Sequence, residues 1–134
     1  LEENKSLITD PLVYKRAHHA ITENERSLKA SSVLLENDLE SFGRLMNESH
    51  VSLRDDYDVT GIELDTIVQA AWDHPATIGA RVTGAGFGGC AIAIVKQDSV
   101  DDFIESVQST YSKTIGYKAD FYVASIGQGA HEIE

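Results

Sequence analysis

Four glycines occur within residues 84–89, and the segments on both sides of them have the composition of β-strands. Residues 78–83 and 90–95 are short and rich in β-branched side chains. Glycine adopts positive φ angles and allows another backbone to approach closely, and a simple turn needs only one or two glycines. The segment therefore predicts a shaped loop between two neighbouring strands. A long hairpin with a flexible tip is the alternative that spacing alone leaves open.

The spacing of Gly84, Gly86 and Gly89 also matches the dinucleotide-binding fingerprint. That fingerprint must open a helix and needs an acidic residue about 20 positions later, at the end of the next strand. Here the glycines are followed by the strand-like residues 90–95, and no Gly-Lys-Ser/Thr follows as in a P-loop. Both nucleotide-binding motifs are therefore excluded.

The chain before the glycines has helical periodicity. Residues 14–35 carry apolar side chains at helical spacing, and Asp10-Pro11 is a plausible helix start. Asp38 is positioned to cap a second helix, whose apolar face is formed by Leu39, Phe42, Leu45 and Met46. Thr60 and Glu63 have the spacing of a capping box for a third helix, which Pro75 ends.

After the two strands, the pattern predicts one more helix and one more strand. Ser99 opens the helix and Gly116 ends it, and residues 121–124 are predicted to form the last strand. The order ααα-ββ-α-β predicts a single α+β domain over residues 1–134 with a ferredoxin-like β-β-α-β tail. Residues 1–10 contain no convincing first strand for such a unit, so we expect that strand upstream of Leu1.

The charge of the chain limits its partners. Its net charge is -11, which disfavours nucleic acid and anionic lipid. The apolar run at residues 90–95 is far shorter than the roughly 20 residues of a membrane span. The N-terminus has no signal-peptide pattern, and Cys90 is the only cysteine, which suits a reducing compartment. We therefore expect a cytoplasmic protein with no nucleic-acid or membrane partner, and a buried, inert thiol at Cys90.

One further group of polar residues follows the second helix. Arg54, Asp55, Asp56 and Tyr57 either pair locally or face the same cleft as the glycines. Adjacent carboxylates usually diverge and no third ligand is evident, so no metal site is assigned to the two aspartates. His50, just before this group, is expected to form a hydrogen bond across the helices.

Several of these segments resemble the galactokinases of the GHMP kinase family. Residues 81–90 are similar to the third family motif, and residues 86–90 have its galactokinase version. Residues 46–57 and 16–26 also resemble galactokinase segments, as do residues 127–130 at the tail. The segments come in the family's order, and the resemblance covers nearly the whole chain.

The resemblance implies a parent enzyme that transfers the γ-phosphoryl group of ATP to the 1-hydroxyl of galactose with Mg²⁺, in galactose metabolism. The family's phosphate loop, catalytic carboxylate and N-terminal sugar-binding motif are absent from this sequence. We therefore expect no catalytic residue in this chain, and the N-terminal domain of the same galactokinase as its intramolecular partner. Alone, the chain is expected to be inactive and to bind neither ATP with Mg²⁺ nor galactose tightly.

In the family, the third motif packs at the cleft between the two domains. We therefore expect the glycine segment to complete the floor of the active site. The expected loop residues are Gly84, Ala85, Gly86, Phe87, Gly88 and Gly89. The candidates for facing the same cleft are Arg54, Asp55, Asp56 and Tyr57.

Two other functions remain open at this point. A ferredoxin-like unit also serves as a stand-alone small-molecule binding or regulatory domain. A close relative of galactokinases acting on another sugar, such as N-acetylgalactosamine or arabinose, would share these motifs, because the residues that recognise the sugar lie in the absent half.

Overall fold

The computed structural model describes residues 6–125 and 127 of the 134-residue chain. In order, its elements are α1 (Pro11–Leu35), α2 (Leu39–Ser52), a π-helical turn (Leu53–Tyr57), α3 (Ile62–Trp72), β1 (Thr77–Thr83), β2 (Cys90–Val95), a short 3-10 turn (Gln97–Ser99) and α4 (Val100–Ile115). The predicted α+β class and the predicted order up to the fourth helix are confirmed. None of the described helices is both long enough and apolar enough to cross a membrane.

Three of the predicted helix boundaries have the expected caps. The carboxylate of Asp10 accepts the N–H of Leu12 at 2.8 Å, and that of Asp38 accepts the N–H of Ser41 at 2.9 Å. Each bond satisfies a backbone donor that has no partner within its helix. At the other end of the domain, Gly116 terminates α4 with φ of 93°.

The predicted capping box of α3 is wrong. The N-cap is Gly61, with φ of 88° and no side-chain cap, so the helix begins one residue later than Thr60 and Glu63 require. Thr60 is instead buried. Ser99 does occupy the N-cap of α4, but it makes no capping bond and its hydroxyl donates to Asp98.

The sheet formed by the described residues has two antiparallel strands, paired from Thr77 opposite Val95 to Thr83 opposite Cys90. The predicted last strand is wrong, because residues 121–124 have no regular structure and Tyr122 is exposed. A strand exists only through its hydrogen-bonding partners. In the structure residues 121–124 do not pair with β2, so they stay outside the sheet.

Helix α2 covers the outer edge of β1. The side-chain oxygen of Asn47 accepts the N–H of Ala80 at 2.9 Å, and Nδ1 of His50 accepts the N–H of Val82 at 3.3 Å. These side chains replace the neighbouring strand that an edge would otherwise recruit. On the far side of the sheet, Ile92 of β2 is 50% exposed.

The core lies between the sheet and helices α3 and α4. Its buried members are Val68, Ala70, Ala71, Ala80, Phe103 and Val107. Helix α2 also packs against β1, and the two backbones are in direct contact at Gly43 and Gly79. A Cβ atom on Gly43 would lie 1.9 Å from the carbonyl oxygen of Ile78. The contact thus requires glycine and brings α2 close enough for its side chains to reach the strand.

Candidate functional site

The segment from Gly84 to Gly89, named here the glycine loop, has a defined backbone shape. Its φ angles are 76° at Gly84, 82° at Gly86, 55° at Phe87 and 79° at Gly88. Left-handed angles of this kind are strained for residues other than glycine, and Phe87 adopts one nonetheless. The N–H of Gly89 closes the loop on the carbonyl of Gly86 at 3.1 Å. The loop joins two strands, as the sequence predicts.

Val59 anchors the glycine loop to the rest of the domain. Its carbonyl oxygen accepts the N–H of Phe87 at 2.8 Å. A Cβ atom on Gly86 would lie 2.0 Å from the same oxygen, whereas Gly84 and Gly88 have no atom within 4 Å of that position. Position 86 therefore requires glycine both because a Cβ atom would clash with Val59 and because φ is positive. Positions 84 and 88 require glycine only because φ is positive.

Val59 follows the π-helical turn Leu53–Tyr57, named here the π turn. The chain leaves the turn through Asp58, with φ of 61°, and the N–H of Val59 donates to the carbonyl of Leu53 at 3.2 Å. Single π turns inside helices are rare, and those that occur are often found at functional sites. Neither the role of Val59 nor the π turn is predicted from the sequence. The only local signal is an aspartate, a residue type enriched at left-handed positions.

Arg54 and Asp55 in the π turn pair with each other at the surface. Nε and Nη2 of Arg54 donate to the two carboxylate oxygens of Asp55 at 2.8 and 3.1 Å. The hydrogen bond from Arg54 keeps the pKa of the Asp55 carboxyl below its ordinary value. Arg54 and Asp55 thus form the local pair that was one of the two alternatives for this group.

Asp56 and Tyr57 turn towards α1. The Asp56 carboxylate lies 3.1 Å from Nδ1 of His18 and accepts the hydroxyl of Ser52 at 2.9 Å. The ring of Tyr57 lies 4.6 Å from the ring of His19, which is buried. The two aspartates therefore point to different partners. Among the described residues, no group of three His, Cys, Asp or Glu side chains could hold a metal ion.

Two cations from α1 bind the end of the π turn. Nζ of Lys15 donates to the carbonyl of Asp55 at 3.0 Å, and Nη1 of Arg16 donates to the carbonyl of Asp56 at 2.6 Å. Carbonyls at a helix end lack partners within the helix. The guanidinium of Arg16 also lies over the ring of Tyr57, 5.4 Å from its centroid. Helix α1 therefore stabilises the turn that presents Val59.

His50 of α2 lies where this helix meets α3 and β1, and its hydrogen bond is to the strand. The residue is 1% exposed. Its Nδ1 accepts the N–H of Val82, and its Nε2 lies 3.4 Å from a carboxylate oxygen of Asp65. Burial lowers the pKa of the His50 imidazole, although Asp65 opposes this effect. Acceptance of the Val82 N–H at Nδ1 requires a neutral ring with its hydrogen on Nε2.

Arg81, the cation before the glycine loop, is held by Glu23 of α1. One Glu23 oxygen accepts Nη1 of Arg81 at 3.3 Å and the Ser49 hydroxyl at 2.5 Å, while the other accepts Nε of Arg26 at 2.9 Å. Burial raises the pKa of Glu23, but the bonds from Ser49 and Arg26 outweigh it, so the pKa lies below its ordinary value. Arg81 is thus bound to a carboxylate within the domain.

The thiol of Cys90 is exposed, so the prediction of a buried cysteine is wrong. Cys90 begins β2 directly after the glycine loop, and the neighbouring Ala91 and Ile92 are exposed as well. Apolar composition alone predicts burial, but no described element covers this end of the strand.

Two depressions lie beside the π turn. Open cavities of about 550 and 410 Å³ share His18 and Asp56 in their linings, and neither is lined by a residue of the glycine loop. The loop instead projects outward, with Phe87 77% exposed. The glycine loop therefore lines neither of these two cavities and is exposed at the surface of the described residues.

Comparison with known families and sequences agrees with this architecture. Residues 30–113, which include the π turn and the glycine loop, match the family model described as GHMP kinases C terminal. The galactokinases of Clostridium beijerinckii and Enterococcus faecalis are 59% and 57% identical to the chain over 132 residues. The match covers 98% of this chain and 34% of each of those proteins, so the chain spans about a third of their length.

Solved structures give the same result. Lactococcus lactis galactokinase complexed with galactose superposes with a TM-score of 0.92 at 48% identity, over 98% of this chain and 34% of that one. The mevalonate kinase of L. major in complex with R-mevalonate has a TM-score of 0.57 at 30% identity, over 63% of this chain and 26% of that one. With a family model matching more than half of its residues, this chain belongs to the GHMP kinase family as a C-terminal domain of that family.

Proposed function

We propose that this chain is the C-terminal domain of a galactokinase. The full-length enzyme transfers the γ-phosphoryl group of ATP to the 1-hydroxyl of galactose. A bond forms between that hydroxyl oxygen and the γ-phosphorus, the bond from this phosphorus to the ADP oxygen breaks, and the hydroxyl proton is released. The support is the identity of 57–59% to galactokinases over nearly the whole chain, together with the superposition on the galactokinase of L. lactis.

Within that enzyme, the glycine loop and the π turn form one wall of the active-site cleft, and the N-terminal domain forms the opposing wall. The observation that carries this assignment is the bond from Phe87 to Val59, because it joins residues 81–90 to the chain directly after residues 46–57, and both segments resemble galactokinases. Phe87 projects outward, so this wall faces the side on which the N-terminal domain would pack.

The wall contributes shape rather than phosphate binding. The N–H groups of Phe87 and Gly89 are already used within the domain, and Arg81 is bound to Glu23. Arg81, the cation beside the loop, is therefore not available to pair with a phosphate there. ATP with Mg²⁺, the catalytic carboxylate and the sugar-binding residues are accordingly assigned to the N-terminal domain. Use of ATP and the free thiol of Cys90 support a cytoplasmic location.

The test is a kinase assay of the full-length protein that contains this sequence. ADP formation from Mg-ATP is measured with galactose, N-acetylgalactosamine, arabinose and glucose, and the sugar phosphate is identified by NMR. The expected result is the highest kcat/KM with galactose and formation of galactose 1-phosphate. A clear preference for another sugar would assign the protein to a related sugar kinase, and no turnover with any of them would contradict the proposal.

A further inference from the structure

Strand β1 leads directly into the glycine loop, so whatever fixes the end of β1 also fixes the start of the loop. Val82 lies two residues before Gly84. Its N–H points away from β2 and is bound by Nδ1 of His50. A buried backbone N–H without an acceptor is costly, so this bond ties the strand end to α2.

The imidazole that accepts this bond is itself held on several sides. Its Nε2 faces Asp65 of α3, and its ring meets the ring of Trp72 edge-on, with centroids 5.3 Å apart. The indole N–H of Trp72 donates to the carbonyl of Ala80, on the same strand as Val82. These contacts restrict the orientation of the ring, and a residue that positions another group must itself be held in place.

His50 and Val59 belong to one continuous unit, since α2 runs into the π turn and then to Val59. This unit holds the path of the glycine loop at two points. His50 binds Val82 before the loop, and Val59 binds Phe87 within it. Two attachments to one rigid support fix the place of the loop better than either would alone.

We propose that His50 is a positioning residue for the glycine loop, acting through the N–H of Val82. Its effect on catalysis rests on the proposed galactokinase function, whereas its effect on the loop does not. Loss of the bond releases the start of the loop and misplaces the wall of the cleft. Because small misplacements affect the reacting geometry more than ground-state binding, kcat falls and the KM for galactose changes little.

Two substitutions test the two contacts of the imidazole separately, the hydrogen bond from Val82 and the contact with Asp65. In His50→Asn, the side-chain oxygen takes the place of Nδ1 and still accepts the N–H of Val82, while the group facing Asp65 is lost. In His50→Gln, the amide takes the place of Nε2 and still faces Asp65, while the acceptor for Val82 is lost. Asp65→Asn is the matched control, because it keeps the imidazole and its bond to Val82.

The variants are made in the full-length enzyme and compared by kcat, by KM and by amide hydrogen exchange of residues 82–89. We expect His50→Gln to lose roughly 10- to 100-fold in kcat and to exchange faster in that segment. His50→Asn and Asp65→Asn should stay within about threefold of the parent enzyme in kcat and keep the protection of residues 82–89.

Equal losses in His50→Asn and His50→Gln would overturn the proposal, since both would then reflect general destabilisation. Should His50→Gln fail to fold, the other two variants decide the matter, because a tenfold loss of kcat in either would contradict the role assigned to the Val82 bond. Should the parent enzyme lack galactokinase activity, the proposed function fails, but the exchange rates of residues 82–89 still test the positioning role.

Discussion

The carbonyl oxygen of Val59 accepts the backbone N–H of Phe87 at 2.8 Å, and the same oxygen leaves no room for a Cβ atom on Gly86. A single atom of the segment after the π turn therefore determines both the residue type at position 86 and the direction of the loop at position 87. The glycine loop is consequently a part of the surface that α2 and the π turn present, and not an independent hairpin tip.

Gly86→Ala and Gly88→Ala form a matched pair that tests this contact. Both positions have positive φ, so both variants carry a similar backbone strain of about 1–3 kcal/mol. Only the alanine at 86 also meets Val59, so it should destabilise the domain by about 1–3 kcal/mol more. Urea unfolding of the two variants measures the difference. In the full-length enzyme, Gly86→Ala should also show the greater loss of kcat, and equal effects in both assays would argue against the contact.

The parts of the fold that could be predicted from sequence are those determined by neighbouring residues. Strands β1 and β2 follow from their β-branched composition, the start of α1 from Asp10, and the end of α4 from Gly116. The π turn could not be predicted, because its stabilising donors, Lys15 and Arg16, come from a distant helix. The contact between Val59 and the glycine loop depends on tertiary packing, which the local sequence does not predict.

Two of the wrong predictions, the last strand and the buried Cys90, have a common cause. Residues 121–124 and the strand beginning at Cys90 have strand-like, apolar composition, which predicts pairing and burial. Both properties depend on what lies beside the strand, and the described part of the chain provides no strand at the far edge of β2. Composition therefore predicted the element type of β2 correctly and its surroundings incorrectly.

Gly43→Ala tests the backbone contact between α2 and β1. In an exposed helix, alanine is more favourable than glycine by about 1 kcal/mol. Here the added methyl group would lie 1.9 Å from the carbonyl oxygen of Ile78, so α2 must move away from β1. We expect a net loss of about 1–3 kcal/mol in unfolding free energy, measured by denaturation. Glu48→Ala, at an exposed position of the same helix, should change stability by less than about 0.5 kcal/mol. An increase in stability for Gly43→Ala would contradict the contact.

The stability of the domain should fall as the pH drops below about 6.5. Burial lowers the pKa of His50 and of His19 from the ordinary value of 6.5. The unfolded chain therefore binds protons more tightly than the folded chain, and unfolding free energy decreases with falling pH until the folded-state pKa values are reached. Glu23, whose pKa lies below 4.5, weakens the fold only in more acidic solution.

Urea unfolding at pH values from 7.5 to 5 measures this dependence. His50→Asn has one buried imidazole fewer, so its unfolding free energy should depend less steeply on pH in that interval. An unchanged slope in the variant would show that His50 does not carry the effect. The remaining slope is then tested with His19→Asn, which removes the second buried ring.

The 134-residue chain by itself should self-associate through the far edge of β2. Ile92 is half exposed there, and an uncovered strand edge pairs readily with another chain. Ile92→Lys should suppress the association, because a charge on an edge strand disfavours pairing. Leu35→Lys replaces an exposed leucine at the end of α1 and should have no such effect. Sedimentation at several concentrations measures the association, and equal behaviour of both variants would exclude this edge as its cause.

Calorimetry of the 134-residue chain should show no binding of galactose and none of Mg-ATP at millimolar concentrations. Arg81, the cation beside the glycine loop, is bound to Glu23, so it is not available to pair with an anionic ligand. The net charge of -11 opposes ATP further. The full-length enzyme is the positive control and should bind both. Tight binding of either ligand by the short chain would mean that this domain holds a substrate site of its own.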